Sequence, residues 1–209
     1  MTPSHAERFI VEAGPSVPRA PNRVRYWIGR SILTLTGWSV DVRLPDEPKL
    51  IIIAAPHSSN WDFVYGLAAI FVTQLHFNFF GKHSLFEGPL GSLFRRVGGI
   101  PVDRSVPGGL VAETVRVFES RPTLLLALTP EGTRSRVTTW KRGFWHMAQA
   151  AQVPVAVAYI DYTRKKAGIE WLFRPTGDWE QDMRPVFEFY RTVGAKRPED
   201  FAVEELPSR

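Results

Sequence analysis

KLIIIAA (49–55) runs straight into PHSSNWDF (56–63), and this junction decides how the chain is read. An unbroken apolar run of strand length, rich in isoleucine, suits a strand buried on both faces. It empties at once into a polar turn that opens with His57 and closes on Asp62. In α/β sheets, chemistry gathers where strands end and loops begin. An imidazole there can accept a proton near neutral pH, and a carboxylate bonded to its other nitrogen would hold the tautomer and stabilise the imidazolium. The four intervening residues do not suit one helix face. They suit a loop that curls back, with His57 on the loop and Asp62 in the first turn of the next helix. There is a plain structural reading too: Ser59-Asn60-Trp61-Asp62 fits a capping box, so Asp62 can serve as a helix cap and His57 as a polar strand end.

Outward from this junction, strands and helices alternate. VRYWIGRSILTLTGW (24–38) carries a helical stripe of Val24, Trp27, Ile28, Ile32, Leu35 and Trp38. Helices are also predicted over 60–75, 89–98, 108–120, 141–152 and 181–193. Strands are predicted at 49–55, 77–81, 99–103, 123–129, 153–161 and 169–177. Strand–helix alternation with unbroken apolar strands predicts a single-domain α/β fold, its sheet covered by helices on both faces. Residues 1–22, with four prolines by position 21, read as a mobile tail before a domain spanning 23–209.

Composition sets outer bounds. The 209 residues suffice for one well-cored domain. No cysteine is present, which excludes disulfides and thiolate metal sites and favours a cytoplasmic setting. The net charge of +5 suits nucleic acid, an anionic membrane face or a phosphorylated substrate, and does not discriminate among them. No apolar run approaches the roughly 18 residues of a membrane span. The GxSxG, GxxxxGK[ST] and GxGxxG patterns are missing, as are RNP-type aromatic signatures, so nucleic acid is not an expected partner. The five histidines fit no common metal spacing, and no metal is expected.

A second polar turn repeats the first pattern. TLLLALTPEGTRS (123–135) is again an apolar strand followed by an abrupt loop. Arg134 offers a planar fork for phosphate, Gly132 permits close approach, and Thr133 and Ser135 add hydroxyl donors. Glu131 can orient the arginine or a substrate hydroxyl. A tight turn with a solvated arginine is the plain alternative. In GKHSLFEGPLGSLFRRVGGIPVDR (81–104), Lys82 and Asp103-Arg104 also follow predicted strands, and taken singly these read as surface charges.

Together, H-x4-D (His57, Asp62), K-x-x-L-F (Lys82, Leu85, Phe86), GGIPVDR, PEGTRS and VPVAVAYID resemble the PlsC-type lysophospholipid and glycerolphosphate acyltransferases, over roughly residues 40–165. The resemblance is to a compact bacterial subgroup. It implies a mixed, mostly parallel sheet flanked by helices, and transfer of a fatty acyl group from acyl-CoA or acyl carrier protein to a lipid hydroxyl. The acceptor it implies most simply is 1-acylglycerol-3-phosphate. No cofactor is implied beyond the acyl thioester co-substrate. His57 would be the base and Asp62 its orienting partner. Lys82, Arg104, Glu131, Gly132, Thr133 and Arg134 would form the acceptor site. Oxyanion donors would be backbone N–H groups near His57 or in the Glu131 loop. Thr129 stands where Phe is usual, and Trp61 is bulky. A non-phosphorylated or specialised-metabolite acceptor, a thioesterase using the same His–Asp pair, and a non-catalytic lipid-binding protein remain alternatives. Arg23, Arg25 and Arg30 beside the stripe of 24–38 lead to an expectation of peripheral binding to an anionic membrane, on the inner face of the cell membrane; packing of that stripe on the protein's own core is the alternative.

Overall fold

The computed structural model describes residues 8–102 and 109–207. Its centre is an eight-stranded sheet in the order β1-β2-β8-β7-β3-β6-β4-β5. These strands are β1 (Phe9–Ala13), β2 (Ser39–Leu44), β3 (Lys49–Ala55), β4 (Phe77–Lys82), β5 (Gly99–Val102), β6 (Leu124–Leu128), β7 (Val155–Asp161) and β8 (Lys166–Phe173). Every neighbouring pair is parallel except β7 and β8. The mixed, mostly parallel sheet expected from the sequence is therefore what forms.

The alternation inside β3 explains why the sheet is covered on both sides. Ile51 and Ile53 face one layer with α5 (Gly109–Glu119), α6 (Gly143–Ala151) and α7 (Trp179–Arg191). Leu50 and Ile52 face the other, with α1 (Arg23–Thr36) and α2 (Asn60–Thr73). All four side chains are essentially sealed from water, and each such burial stabilises the fold by about 1.5–3 kcal/mol. Two short helices, α3 (Ser84–Glu87) and α4 (Gly91–Arg96), connect β4 to β5. In α1, Gly29 permits a close helix crossing: a Cβ there would lie 2.5 Å from the Ala68 carbonyl of α2 and 2.8 Å from Phe71 Cβ.

Two expectations change, and one alternative falls. Residues 9–13 do not belong to a mobile tail. They form the edge strand β1, in register from Phe9 opposite Val40 to Ala13 opposite Leu44, and Val17 behind them is buried. The surrounding prolines masked a short apolar strand, Phe9-Ile10-Val11, that is held in place by pairing with β2. The stripe of 24–38 does not pack on the core as one face. Val24, Trp27, Ile28 and Leu35 point outward, while Gly29 and Leu33 face α2 and Trp38 packs beyond the helix end. The final strand begins at Lys166, earlier than 169, because the turn at 162–165 folds it directly back on β7.

Strands β3, β6, β4 and β5 are mutually parallel and adjacent in that order. Their C-terminal ends share one edge of the sheet, so the polar loops that follow them open on the same side.

Candidate active site

Two loops meet at this edge. The first leaves β3 at Ala55 and enters α2 through Ser59, the N-cap. Ser59 and Asp62 form the reciprocal capping box. The Asp62 carboxylate is 3% exposed and fully engaged. Its Oδ2 accepts the backbone N–H groups of Ser58 and Ser59 at 2.6 and 2.7 Å, and its Oδ1 accepts the Tyr162 hydroxyl at 2.6 Å. The same Oδ2 lies 3.9 Å from Nδ1 of His57. That distance allows charge–charge attraction without a direct hydrogen bond. The capping reading of Asp62 is what forms, and it does not exclude the chemical one: the cap aims the carboxylate at the imidazole.

His57 is only partly exposed. Burial pulls its pKa below the ordinary 6.5; the Asp62 charge opposes this and the Arg134 charge adds to it. The balance leaves a neutral imidazole at neutral pH, the form that can take a proton.

The second loop leaves β6 at Leu128. Gly132 closes a tight turn through its N–H to the Thr129 carbonyl, with φ at +67°, where a side chain would be strained. The space a Cβ would take is filled by the Lys141 side chain, whose Nζ would be 2.5 Å away. Arg134 projects from this loop onto the first. Its Nε donates toward Nε2 of His57 at 3.4 Å, and its Nη1 donates to the Asn60 side-chain oxygen. Thr133 Oγ1 accepts the nearby Ser135 N–H. Glu131 is buried, accepts a hydrogen bond from the His57 backbone N–H, and leaves Oε2 with no partner among the described residues. Burial pushes its pKa from the ordinary 4.5 up to about 8; the His57 N–H opposes the shift and the Asp62 charge adds to it.

The N–H groups of Ser58 and Ser59 are committed to Asp62, which narrows the candidate oxyanion donors to the other backbone N–H groups of the two loops. Lys82 ends β4, exposed and two strands from β3, with no ion pair among the described residues. Arg104 lies outside the described residues. Among the described residues, no three His, Asp or Glu side chains gather as a metal site.

A family model described as Acyltransferase matches residues 41–161, more than half of the chain. The chain belongs to the acyltransferase family. The match spans β2 to the end of β7 and so contains both loops and Lys82. The crystal structure of the 1-acyl-sn-glycerophosphate (LPA) acyltransferase PlsC from Thermotoga maritima is similar at a TM-score of 0.54 and 19% identity, covering 83% of this chain and 81% of that one. At that identity the likeness speaks for the fold. No curated protein matches the chain.

In this acyltransferase-family chain the geometry adds residues that sequence reasoning passed over. Asn60 anchors Arg134, and Lys141 covers Gly132. The segment after α7 closes over both loops: the Arg197 N–H donates to Ser58 Oγ at 3.2 Å, and Glu204 accepts the Trp140 N–H at 2.8 Å. Asn60 sat inside the quoted motif and was legible as a polar neighbour of the cap. Arg197 and Glu204 are brought in by tertiary packing, and no local pattern announces them.

Proposed function

We propose that this protein transfers a fatty acyl group from an acyl thioester, acyl-CoA or acyl carrier protein, to the hydroxyl of a lysolipid that bears a phosphate, most simply 1-acylglycerol-3-phosphate. The observation that carries the reading is a neutral, half-buried His57 with a carboxylate at Nδ1 and a guanidinium at Nε2. His57 Nε2 takes the acceptor hydroxyl proton as its oxygen attacks the thioester carbonyl. Asp62 steadies the imidazolium that results. When the tetrahedral intermediate collapses, the carbon–sulfur bond breaks and the thiolate recovers that proton from His57. No covalent acyl-enzyme is needed.

The place at Nε2 is taken by Arg134 in the free protein, and an acceptor hydroxyl has to take it over. A phosphate is the partner that draws a guanidinium aside, since its fork matches two phosphate oxygens. Lys82 on the same sheet edge and Lys141 over Gly132 add positive charge for the same anion. The exposed Val24, Trp27, Ile28 and Leu35 of α1, with Trp61 and Phe63 in the first turn of α2, support docking on an anionic membrane surface beside the site. No helix among the described residues is long and apolar enough to cross a membrane.

The test offers acyl-CoA and acyl carrier protein donors to the purified protein with lysophosphatidate or the matching monoacylglycerol, read by mass spectrometry. Diacylated phosphate product, formed with the higher kcat/KM on lysophosphatidate, is expected. Equal kcat/KM for both acceptors removes the phosphate from the account. Free fatty acid released independently of acceptor makes the protein a thioesterase. Flotation with anionic and neutral vesicles tests the surface, and failure to bind either rejects it.

A further inference from the structure

The Asp62 carboxylate has a partner outside the His–Asp pair and outside its own helix cap. The Tyr162 hydroxyl donates to Oδ1 at 2.6 Å, the short distance of a bond to an ionised oxygen. Oδ2 is already held by two backbone N–H groups and is the oxygen that faces His57. Bonds to Oδ2 alone leave the carboxylate free to twist about that anchor. A third bond, to Oδ1 and from another direction, removes that freedom.

Tyr162 is itself fixed by four segments. It follows the last residue of β7, and its N–H donates to the Gly194 carbonyl beyond α7 at 2.8 Å. Its ring meets Trp38 edge-on at 5.0 Å and Tyr65 of α2 at 5.8 Å, and Lys196 Nζ sits 5.6 Å over its face. The ring also lines an open cavity of about 530 Å³, so the hydroxyl is not a by-product of filling the core. Burial, the bond to Asp62 and the Asp62 charge all push the phenol's pKa upward, so it stays a donor at every working pH.

We propose that Tyr162 is a positioning residue of acyl transfer: its hydroxyl holds the Asp62 carboxylate in the plane that presents Oδ2 to His57 and draws charge from it, which sets the basicity of the imidazole. The proposal rests on the reading of His57 as the base. Among the described residues, the ionisable groups facing His57 are Asp62, Arg134 and Glu131; those facing Tyr162 are Asp62, Tyr65 and Lys196. Only Asp62 belongs to both sets, so a change at Tyr162 reaches His57 through that carboxylate.

Tyr162→Phe keeps the ring contacts and removes the hydroxyl. With the donor gone, the Asp62 charge concentrates and His57 becomes more basic. The acid limb of kcat/KM against pH should move to higher pH, and kcat should fall about three- to thirtyfold, part of what a hydrogen bond to a charged group is worth. KM for donor and acceptor should stay within about twofold if the hydroxyl acts through Asp62 and not on substrate. A 3,5-difluorotyrosine placed at position 162 is a stronger donor of nearly the same shape and should move the limb the other way; it decides the matter if Tyr162→Phe does not fold. A purely structural tyrosine would lower Tm and leave the pH profile where it was. Profiles of both variants that coincide with the wild type overturn the proposal. The titration of the His57 imidazole by NMR in the same proteins reads the coupling without turnover. A shifted titration in a protein that transfers no acyl group would fail the proposed function and leave the coupling standing; an unshifted titration in an active enzyme would do the reverse.

Discussion

The two loops at the sheet edge leave neighbouring parallel strands, yet they are built in opposite ways. The loop after β3 is closed: its carboxylate is buried and takes three donors, two of them the backbone N–H groups of Ser58 and Ser59. The loop after β6 is open at its tip, where Arg134 is exposed and reaches across to borrow acceptors, His57 Nε2 and Asn60, from the first. Proton transfer requires fixed geometry, since small misplacements of a base are costly. Capture of an anion requires a cation that can move to meet it. On the proposed function, one loop suits the first task and the other the second.

The largest expected effect is at the base itself. His57→Ala should lower acyl transfer by about 10²–10⁴-fold with little change in Tm, because among the described residues the imidazole holds no structural hydrogen bond apart from the one from Arg134. Near-wild-type turnover in the folded variant would break the comparison at once. Asp62→Asn should cost about 10²-fold or more in kcat and, unlike His57→Ala, should also lower Tm. The amide loses the charge that receives three donors and weakens the α2 cap, where a lost cap alone costs about 1 kcal/mol. An Asp62→Asn protein with unaltered thermal unfolding would show that the closed loop is not held as described.

The open loop should respond differently. Arg134→Ala should leave Tm unchanged and raise acceptor KM by about ten- to a hundredfold, the worth of one charge-assisted bond to phosphate, while sparing donor KM. It should also move the acid limb of activity to higher pH, since the Arg134 charge helps to depress the His57 pKa. A raised donor KM instead would assign Arg134 to the thioester's carrier.

The last effect is one of stability rather than turnover, and it concerns Glu131, between the loops. Its unfolded form titrates near 4.5 and its folded form near 8. Between those values the folded protein holds a proton that the unfolded chain has released, so stability falls as pH rises from about 4.5 to about 8 and levels off above. Glu131→Gln cannot lose that proton. Its Tm relative to wild type should therefore climb across the same window in thermal scans, and a flat difference would place the buried charge elsewhere.

Much of this arrangement was legible in the sequence, for reasons that particular residues make plain. LIII and LLLAL announce strands buried on both faces, and the abrupt polar turns after them mark the site edge. His57, Asp62, Glu131 and Arg134 do meet there. Strand β2 is readable too, since Val40, Val42 and Leu44 alternate with Asp41 and Arg43 over buried and more exposed positions. Strand β1 was not readable, because its order comes from pairing with β2. The outward stripe of α1 illustrates a second limit. Periodicity finds an apolar face but not what the face meets, and here the core contact is made through Gly29 and Leu33. Tyr162 is invisible for a third reason: its partner Asp62 is 100 residues away in the chain.

The account turns on a neutral His57 acting as base, and the pH dependence of kcat/KM for acceptor acylation tests that most directly. It predicts an acid limb centred below the ordinary histidine value of 6.5, absent from whatever residual activity His57→Ala retains. A limb at or above 6.5, or one that persists in His57→Ala, would contradict it.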